Sequence, residues 1–339
     1  MAAIPEPLNQ IDIQSRIDAH HVQHREPPRP HLGLSVLGHE CDRWVWLSFR
    51  WAIIEQFPGR MLRLFRRGQR EEETIVKDLR AIGIDIHSTC LDSDGQSRVD
   101  FGGHVSGSID GIIESGVPGA EKTRHVAEFK THSLKSFNEL KSKGVSGAKR
   151  QHWRQMQGYM LGTKIDRALY VAVCKDNDEM YTERVYLDKA RAEALIRRGH
   201  MLALSERLPE PLSTDPTWYQ CRYCPGHDFC FGTHLSIEVN CRTCAHVTAT
   251  KDGKFTCAAM QNYELSVEEQ RVGCEAHVAH FDLVPWKWLG GNENGMCGKY
   301  EIKGVTYLNG NPYLNAGAIT THELLAIDQQ GPKDERVPF

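Results

Sequence analysis

Glu128 and Lys130 stand two apart in the run His125-Val126-Ala127-Glu128-Phe129-Lys130. In an extended strand, residues i and i+2 share a face. This carboxylate and this ammonium therefore point the same way, while Ala127 and Phe129 point into the opposite layer. Side by side they can hold a metal ion and a water together. Upstream, Gly107-Ser108-Ile109-Asp110-Gly111 offers a second carboxylate. Val105 and Ile109 share one strand face and Asp110 takes the other, with Gly107 and Gly111 keeping its surroundings open. An excursion through Gly116 to Gly119 returns the chain as the Glu128 strand, which predicts Asp110 and Glu128 as neighbours across a ladder.

A third carboxylate comes from a helix. Met61, Phe65, Gly68, Ile75 and Leu79 recur at helical spacing over about Arg60 to Ile82, and Glu72 falls on that stripe while Glu71 and Glu73 do not. A lone carboxylate turned inward costs several kcal/mol, roughly, unless something pairs with it. A divalent cation shared with Asp110 and Glu128 would do so, and hard oxygen ligands suit Mg²⁺ or Mn²⁺. Downstream, Gln155 and Tyr159 are four apart and share a helix face. Lys149, Arg150, His152 and Arg154 lie beside them, after a loop expected around Lys141, Lys143 and Gly144. That neighbourhood is suited to a phosphate backbone.

The cysteines form two sets. Cys221-x2-Cys224-x5-Cys230 is a strong metal signal with Cys41 as the candidate fourth ligand, and His39 or His227 as nitrogen alternatives if the ion is zinc. Cys241-x2-Cys244, Cys257 and Cys274 have the spacing of a small zinc ribbon or knuckle, with His246, His277 or His280 able to replace a cysteine. Cys90, Cys174 and Cys297 read as ordinary, Cys174 as a core residue. Trp286 and Trp288 flank Lys287. They read as a packing anchor, with stacking on single-stranded bases as the alternative.

The elements that must position these groups follow from the hydrophobic pattern. A helix is expected from Ser35 to Phe57 and a second to Gly83. Strands are expected near Ile84 to Thr89 and over Val99 to Glu114, His125 to Thr131, Arg167 to Cys174 and Met180 to Leu187. Further helices are expected around Gln151 to Gly162 and, capped by Asp188, to about Glu206. That order predicts an α/β sandwich with a mixed sheet flanked by helices. Four segments are expected: an extended arm over 1–30, a catalytic core with the first cysteine set over 31–236, a small Cys/His module over 237–283, and a strand-rich extension over 284–339.

The chain has 339 residues, 25% of them charged, and a formal net charge of −3. A globally basic nucleic-acid coat is thereby excluded, though not a local basic groove. The start has no apolar run behind a basic patch, so no signal peptide is expected, and no stretch is apolar for long enough to cross a bilayer. A cytoplasmic protein without membrane contact is the expectation. There thiols stay reduced, so the 11 cysteines call for a reason other than disulfides.

The order Gly68-x3-Glu72, Gly107-x2-Asp110-Gly111, Glu128-x-Lys130 and Gln155-x3-Tyr159 resembles the RecB-like, CRISPR-associated-exonuclease-like and lambda-exonuclease-like branch of the PD-(D/E)XK nucleases, over about Leu34 to Cys230. Several RecB-like relatives carry histidine where this chain has Glu72, whereas the lambda-exonuclease side uses glutamate. The identity of the first ligand is open on that ground. The resemblance implies a restriction-endonuclease-like core in which Glu72, Asp110 and Glu128 bind one or two Mg²⁺ or Mn²⁺. Lys130 would orient or help deprotonate the attacking water, Gln155 would position Lys130 or the substrate, and the product would be a 5′-phosphate. One early cysteine and three late ones are similar to the AddB-like arrangement. That implies a [4Fe-4S] cluster on Cys41, Cys221, Cys224 and Cys230, with zinc as the alternative. The expected function is a DNA exonuclease or end-processing nuclease in recombination, repair or replication. It would act on DNA ends or single strands, with a recombination protein as partner and a phage gene as a fitting origin. The competing readings are a non-catalytic nucleic-acid-binding metalloprotein and a structure-specific endonuclease.

Overall fold

The computed structural model describes residues 12–92, 98–232, 237–293 and 295–329. Within the proline-punctuated start, Gln14–Gln23 is helical (α1) and packs on a later helix. The strand Leu32–Gly33 (β1) follows. The single helix expected from Ser35 to Phe57 is two, Leu34–Leu37 (α2) and Asp42–Phe49 (α3). The break falls at Gly38, where an added Cβ would lie 2.6 Å from the Gln151 carbonyl oxygen, too close for a side chain. Gly59–Ala81 (α4) starts behind Pro58, whose extended backbone opens the helix, and ends before Gly83 at φ +87°. Its apolar stripe is buried only in the C-terminal half, at Ile75, Val76 and Leu79, whereas Phe65 is 44% exposed.

The strand expected over Val99 to Glu114 is three pieces: Arg98–Asp100 (β3), Val105–Ser108 (β4) and Gly111–Ser115 (β5), preceded by Asp85–Ser88 (β2). Strand β4 leaves the main sheet to pair with β1 and β3, and the chain switches sheets at Ile109-Asp110. Next come His125–His132 (β6), Leu134–Ala148 (α5), Arg150–Thr163 (α6), Arg167–Cys174 (β7), Met180–Tyr186 (β8) and Lys189–Leu204 (α7). The loop expected around Lys141 to Gly144 is helix α5, kinked where Gly144 takes φ 67°. Asp188 caps α7 by accepting from the Arg191 amide at 3.1 Å.

The main sheet runs β2-β5-β6-β7-β8, with β6 and β7 parallel and the other pairs antiparallel. The parallel pair needs a long crossover, which α5 and α6 provide. One sheet face presents Ala127, Phe129, Leu169 and Val171 to Ile75, Val76 and Leu79 of α4. The other packs Val126, Tyr170 and Ala172 with Met156, Tyr159 and Met160 of α6. The result is a mixed sheet flanked by helices.

Beyond α7 the elements shorten. Tyr219–Arg222 (α8) and His227–Phe231 (α9) carry the first cysteine set. Val247–Ala249 (β9), Phe255–Cys257 (β10), Tyr263–Glu264 (β11) and Val267–Val272 (α10) surround the second. Lys287–Gly291 (β12), Gly298–Ile302 (β13), Val305–Asn309 (β14) and Ala318–Ile319 (β15) form a separate sheet, followed by Thr321–Gln329 (α11). The second set joins the main core: Cys241, Cys244, Val247, Phe255 and Cys257 belong to one apolar cluster with Phe49, Val105 and Met156. Two buried arginines stitch the join. Arg242 donates to the carbonyls of Phe49 and Pro30 and lies 3.6 Å from the ring centre of Trp51. Arg50 donates to the carbonyls of Arg242, Val247 and Ser205. Trp286 is buried, whereas Trp288 is 39% exposed with its ring edge-on to Tyr300. Among the described residues no helix is long and apolar enough to cross a membrane.

Candidate active site

Strand β6 is longer than its partner β5. The register pairs Gly111 with Ala127 and stops there, so Glu128 to His132 are bonded only to β7. The open edge of β6 is filled at one point by Asp110, which accepts the Phe129 amide through Oδ2 at 2.9 Å. The expected adjacency of Asp110 and Glu128 is therefore present. Its cause is the sheet switch at Ile109-Asp110, which turns the carboxylate into the gap instead of along a ladder.

Glu128 is fully buried. The Lys130 ammonium sits 2.5 Å from Glu128 Oε1 and 3.7 Å from Asp110 Oδ2. The Lys130 ammonium is thus the charged partner of the buried Glu128 carboxyl. Burial pushes the Glu128 carboxyl up to about 8, against the pull of Lys130. On Lys130 burial works against the charge, but Glu128 and Asp110 together outweigh it and hold the pKa above the ordinary lysine value. Glu72 reaches the same place from α4, on the far side of the sheet. It lines a cavity of about 260 Å³ with Phe65, Gly68, Phe129, Lys130 and Thr131. Burial first, then the charge of Asp110, raises its carboxyl to about 7. Lys130, on the overhang of β6, lines the cavity with Glu72, whereas Asp110 and Glu128 lie outside its lining.

Gln155 and Tyr159 sit on the α6 side. Gln155 Nε2 donates to the Tyr159 hydroxyl at 2.8 Å. Burial and then the Glu128 charge raise the Tyr159 phenol, so it stays protonated toward the carboxylates. Gly107 makes room for this tyrosine: a Cβ there would lie 2.8 Å from Tyr159 Cε1. The basic groups beside α6 are engaged by acids. Lys141 pairs with Glu179, Lys143 with Glu139, and Arg150 and Arg154 with Glu40.

The sequence reading missed a polar cluster next to this site. His132 Nε2 and His152 Nδ1 lie 2.9 and 3.0 Å from the Tyr170 hydroxyl. Burial, then nearby lysines, lowers both imidazoles, to about 4 and about 3. The two-residue step from Lys130 to His132 was the available signal.

Among the described residues no three His, Cys, Asp or Glu side chains already surround a common metal-sized point. At Asp110 and Glu128 the Lys130 ammonium stands in the place of the positive charge. The cysteines of the first set are carried by α8, α9, the turn between them and the residue ahead of α3, and among the described residues no three of them share a metal-sized point. Cys224 feels burial first and then Cys41, Cys230 and Cys221, which raise its thiol to about 11. Cys224 Sγ accepts the Gly226 amide at 3.4 Å, and His39 is turned to the Cys41 amide. In the second set, burial and then Cys274 and Cys257 raise Cys241 to about 11. Cys244 Sγ accepts the Val278 amide at 3.4 Å. Both nitrogens of His277 are engaged by the hydroxyls of Thr243 and Thr321. Cys174 is buried in the main core.

No family model matches the chain, and no curated protein matches it. Solved structures of related shape include the crystal structure of SSO0001, 16% identical, with a TM-score of 0.38 over 64% of this chain and 93% of that one. The alkaline exonuclease LHK-Exo is another, in its complex with dAMP (13% identical, TM-score 0.35) and in a structure from Laribacter hongkongensis (12%, 0.33). Each covers 55% of this chain and 89% of the other. At these TM-scores the shared shape carries no weight for function.

Proposed function

We propose that this chain is a divalent-metal-dependent deoxyribonuclease of the PD-(D/E)XK type, hydrolysing phosphodiester bonds from DNA ends. One observation carries this reading. Glu128 is fully buried, the Lys130 ammonium lies 2.5 Å from it and 3.7 Å from Asp110, and Glu72 shares a cavity lining with Lys130. One ammonium matches one of these three carboxylates, and a divalent cation would match the others. The donor set is all carboxylate oxygen, which fits Mg²⁺ or Mn²⁺. Asp110 and Glu128 would hold the ion, with Glu72 on the third side. When bound, the ion supplies positive charge that polarises the scissile phosphate and neutralises the developing negative charge.

The chain's own groups then divide the work. Lys130, held protonated by its two carboxylates, is a hydrogen-bond donor to the attacking water or a phosphate oxygen, and the attacking water would lose its proton to bulk water through the cavity that Lys130 lines. Lys130 already lines the cavity, so an ion held by Asp110 and Glu128 would share their charge with this ammonium. Gln155 orients the Tyr159 hydroxyl, and the pair closes the α6 side against water. The first cysteine set, Cys41, Cys221, Cys224 and Cys230, fits a [4Fe-4S] cluster, or zinc as the alternative, with the Gly226 amide on Cys224 and the Arg43 guanidinium 3.9 Å from Cys230 Sγ. Cys241, Cys244, Cys257 and Cys274 fit zinc, since His277 is already engaged. Neither group is given a role in the reaction.

The test is a time course on end-labelled linear and on sealed circular DNA with Mg²⁺ or Mn²⁺. Linear DNA should shorten, circles should survive, and Asp110→Ala or Lys130→Ala should abolish the loss. Cleavage that persists in both variants would remove the site. Cleavage of circles would favour the endonuclease reading. DNA binding without turnover under any divalent ion would favour a non-catalytic binding protein.

A further inference from the structure

Phe65 stands out on α4. It is a large apolar side chain, 44% exposed, and it belongs to none of the apolar clusters that hold the protein together. Yet it lines the same cavity as Glu72 and Lys130. Phe57, just ahead of α4, meets it edge-on, with ring centres 4.9 Å apart and planes at 85°, so one ring braces the other. Between Phe65 and Glu72 the helix presents Gly68. A Cβ there would meet only Thr131 Oγ1, at 3.9 Å, so the cavity floor is open along the helix. Seven residues of helix set Phe65 about 10 Å along the axis from Glu72, a span of nucleotide size. An aromatic face at that reach from a phosphate-cleaving centre offers what a nucleobase needs, because every base has a π-face.

Resting on the nuclease reading, we propose that Phe65, braced by Phe57, is the stacking platform for a nucleobase next to the scissile phosphate, and so fixes which phosphate enters the site. Its chemistry is indifferent to base identity, and it is best met by a base free to leave its neighbours and lie flat on the ring. The occupant is therefore a single-stranded or frayed end, and the preference it creates is for unpaired over paired termini.

The test uses the full-length protein with Mg²⁺ and short single-stranded oligonucleotides, intact or carrying one abasic residue at each position in turn. Phe65→Ala should raise KM about tenfold, the loss of one stacked base, with kcat changed much less. Phe65→Trp should restore the wild-type KM. One abasic position should impose a similar penalty on the wild type and no further penalty on Phe65→Ala. A 2-aminopurine at that position should be quenched by the wild type and not by the alanine variant. Since Phe65 lies outside the packed clusters, the melting temperature of Phe65→Ala should match the wild type. An alanine variant with wild-type KM, or an abasic penalty undiminished in that variant, overturns the assignment while leaving the nuclease reading intact. Absence of cleavage by the wild-type protein overturns both.

Discussion

At the scale of single residues, the site is a set of charges held apart from water. Replacing Glu128 with Gln keeps the shape and removes a buried charge. Cleavage should fall by at least about a hundredfold, as expected when a group aimed at transition-state charge is lost. In chelator the melting temperature should fall, because Lys130 loses the nearer carboxylate of a buried pair, and Mg²⁺ should stabilise the variant less than the wild type. Equal stabilisation of both by Mg²⁺ would detach Glu128 from the cation. The pH dependence has a definite sign. Glu72 is raised to about 7 and Glu128 to about 8 from an ordinary value of 4.5. Between pH 4.5 and 7 Glu72 holds a proton in the folded state that the unfolded state has released, so metal-free stability falls as pH rises through that window. Protons and cation compete for the same oxygens, so Mg²⁺ should stabilise the protein increasingly toward pH 8. Melting curves from pH 5 to 8.5, with chelator and with Mg²⁺, read both slopes. Parallel curves, with no divergence as pH rises, would detach these carboxylates from cation binding.

At the scale of elements, the site depends on strands that part company. Strand β4 turns into another sheet, β5 stops at Gly111, and β6 runs on with one edge free. Gly107 is pressed against Tyr159 and Leu34. Gly107→Ala should cost about 1–3 kcal/mol by overpacking, read by urea unfolding. Tyr159→Ala opens a cavity with a cost of its own, but in that background Gly107→Ala should cost much less. If the single variant is neutral, Tyr159 is not held as tightly as the contact implies. The kink of α5 at Gly144 also shows why its basic residues differ from the flexible phosphate-binding loop expected there. A helix fixes Lys141 and Lys143 opposite Glu179 and Glu139, and pairing spends their charge locally.

At the scale of the whole molecule, the cysteine-rich region after α9 is fastened to the sheet domain by buried guanidiniums, with the Arg207–Asp282 ion pair beside them. Arg242 gives hydrogen bonds to Phe49, Pro30 and Gln270 and stacks on Trp51. Arg242→Ala strands those buried acceptors, and a loss of about 3 kcal/mol or more is expected. Protease sensitivity should rise first around residues 237–283. Arg242→Met, which keeps the stacking volume, should lose less. Equal losses in both variants would assign the fastening to the hydrogen bonds alone.

Alternation along a strand and the 3.6-residue turn of a helix are local geometry, so the sequence by itself settled that Glu128 and Lys130 share a face, that Phe129 faces the other layer, and where α4 and α7 begin and end. The ordered motifs also marked Asp110 and Glu72 as candidates. Tertiary structure alone decided how they meet. Partner choice and strand length are non-local, so nothing in Val99 to Glu114 shows that the chain changes sheets at Asp110, or that β6 overhangs its neighbour. For the same reason Phe65 read as a core residue and stands instead at the mouth of the cavity. Periodicity tells which side of a helix a residue occupies, but what lies opposite that side, sheet or open space, is fixed only when the helix is packed.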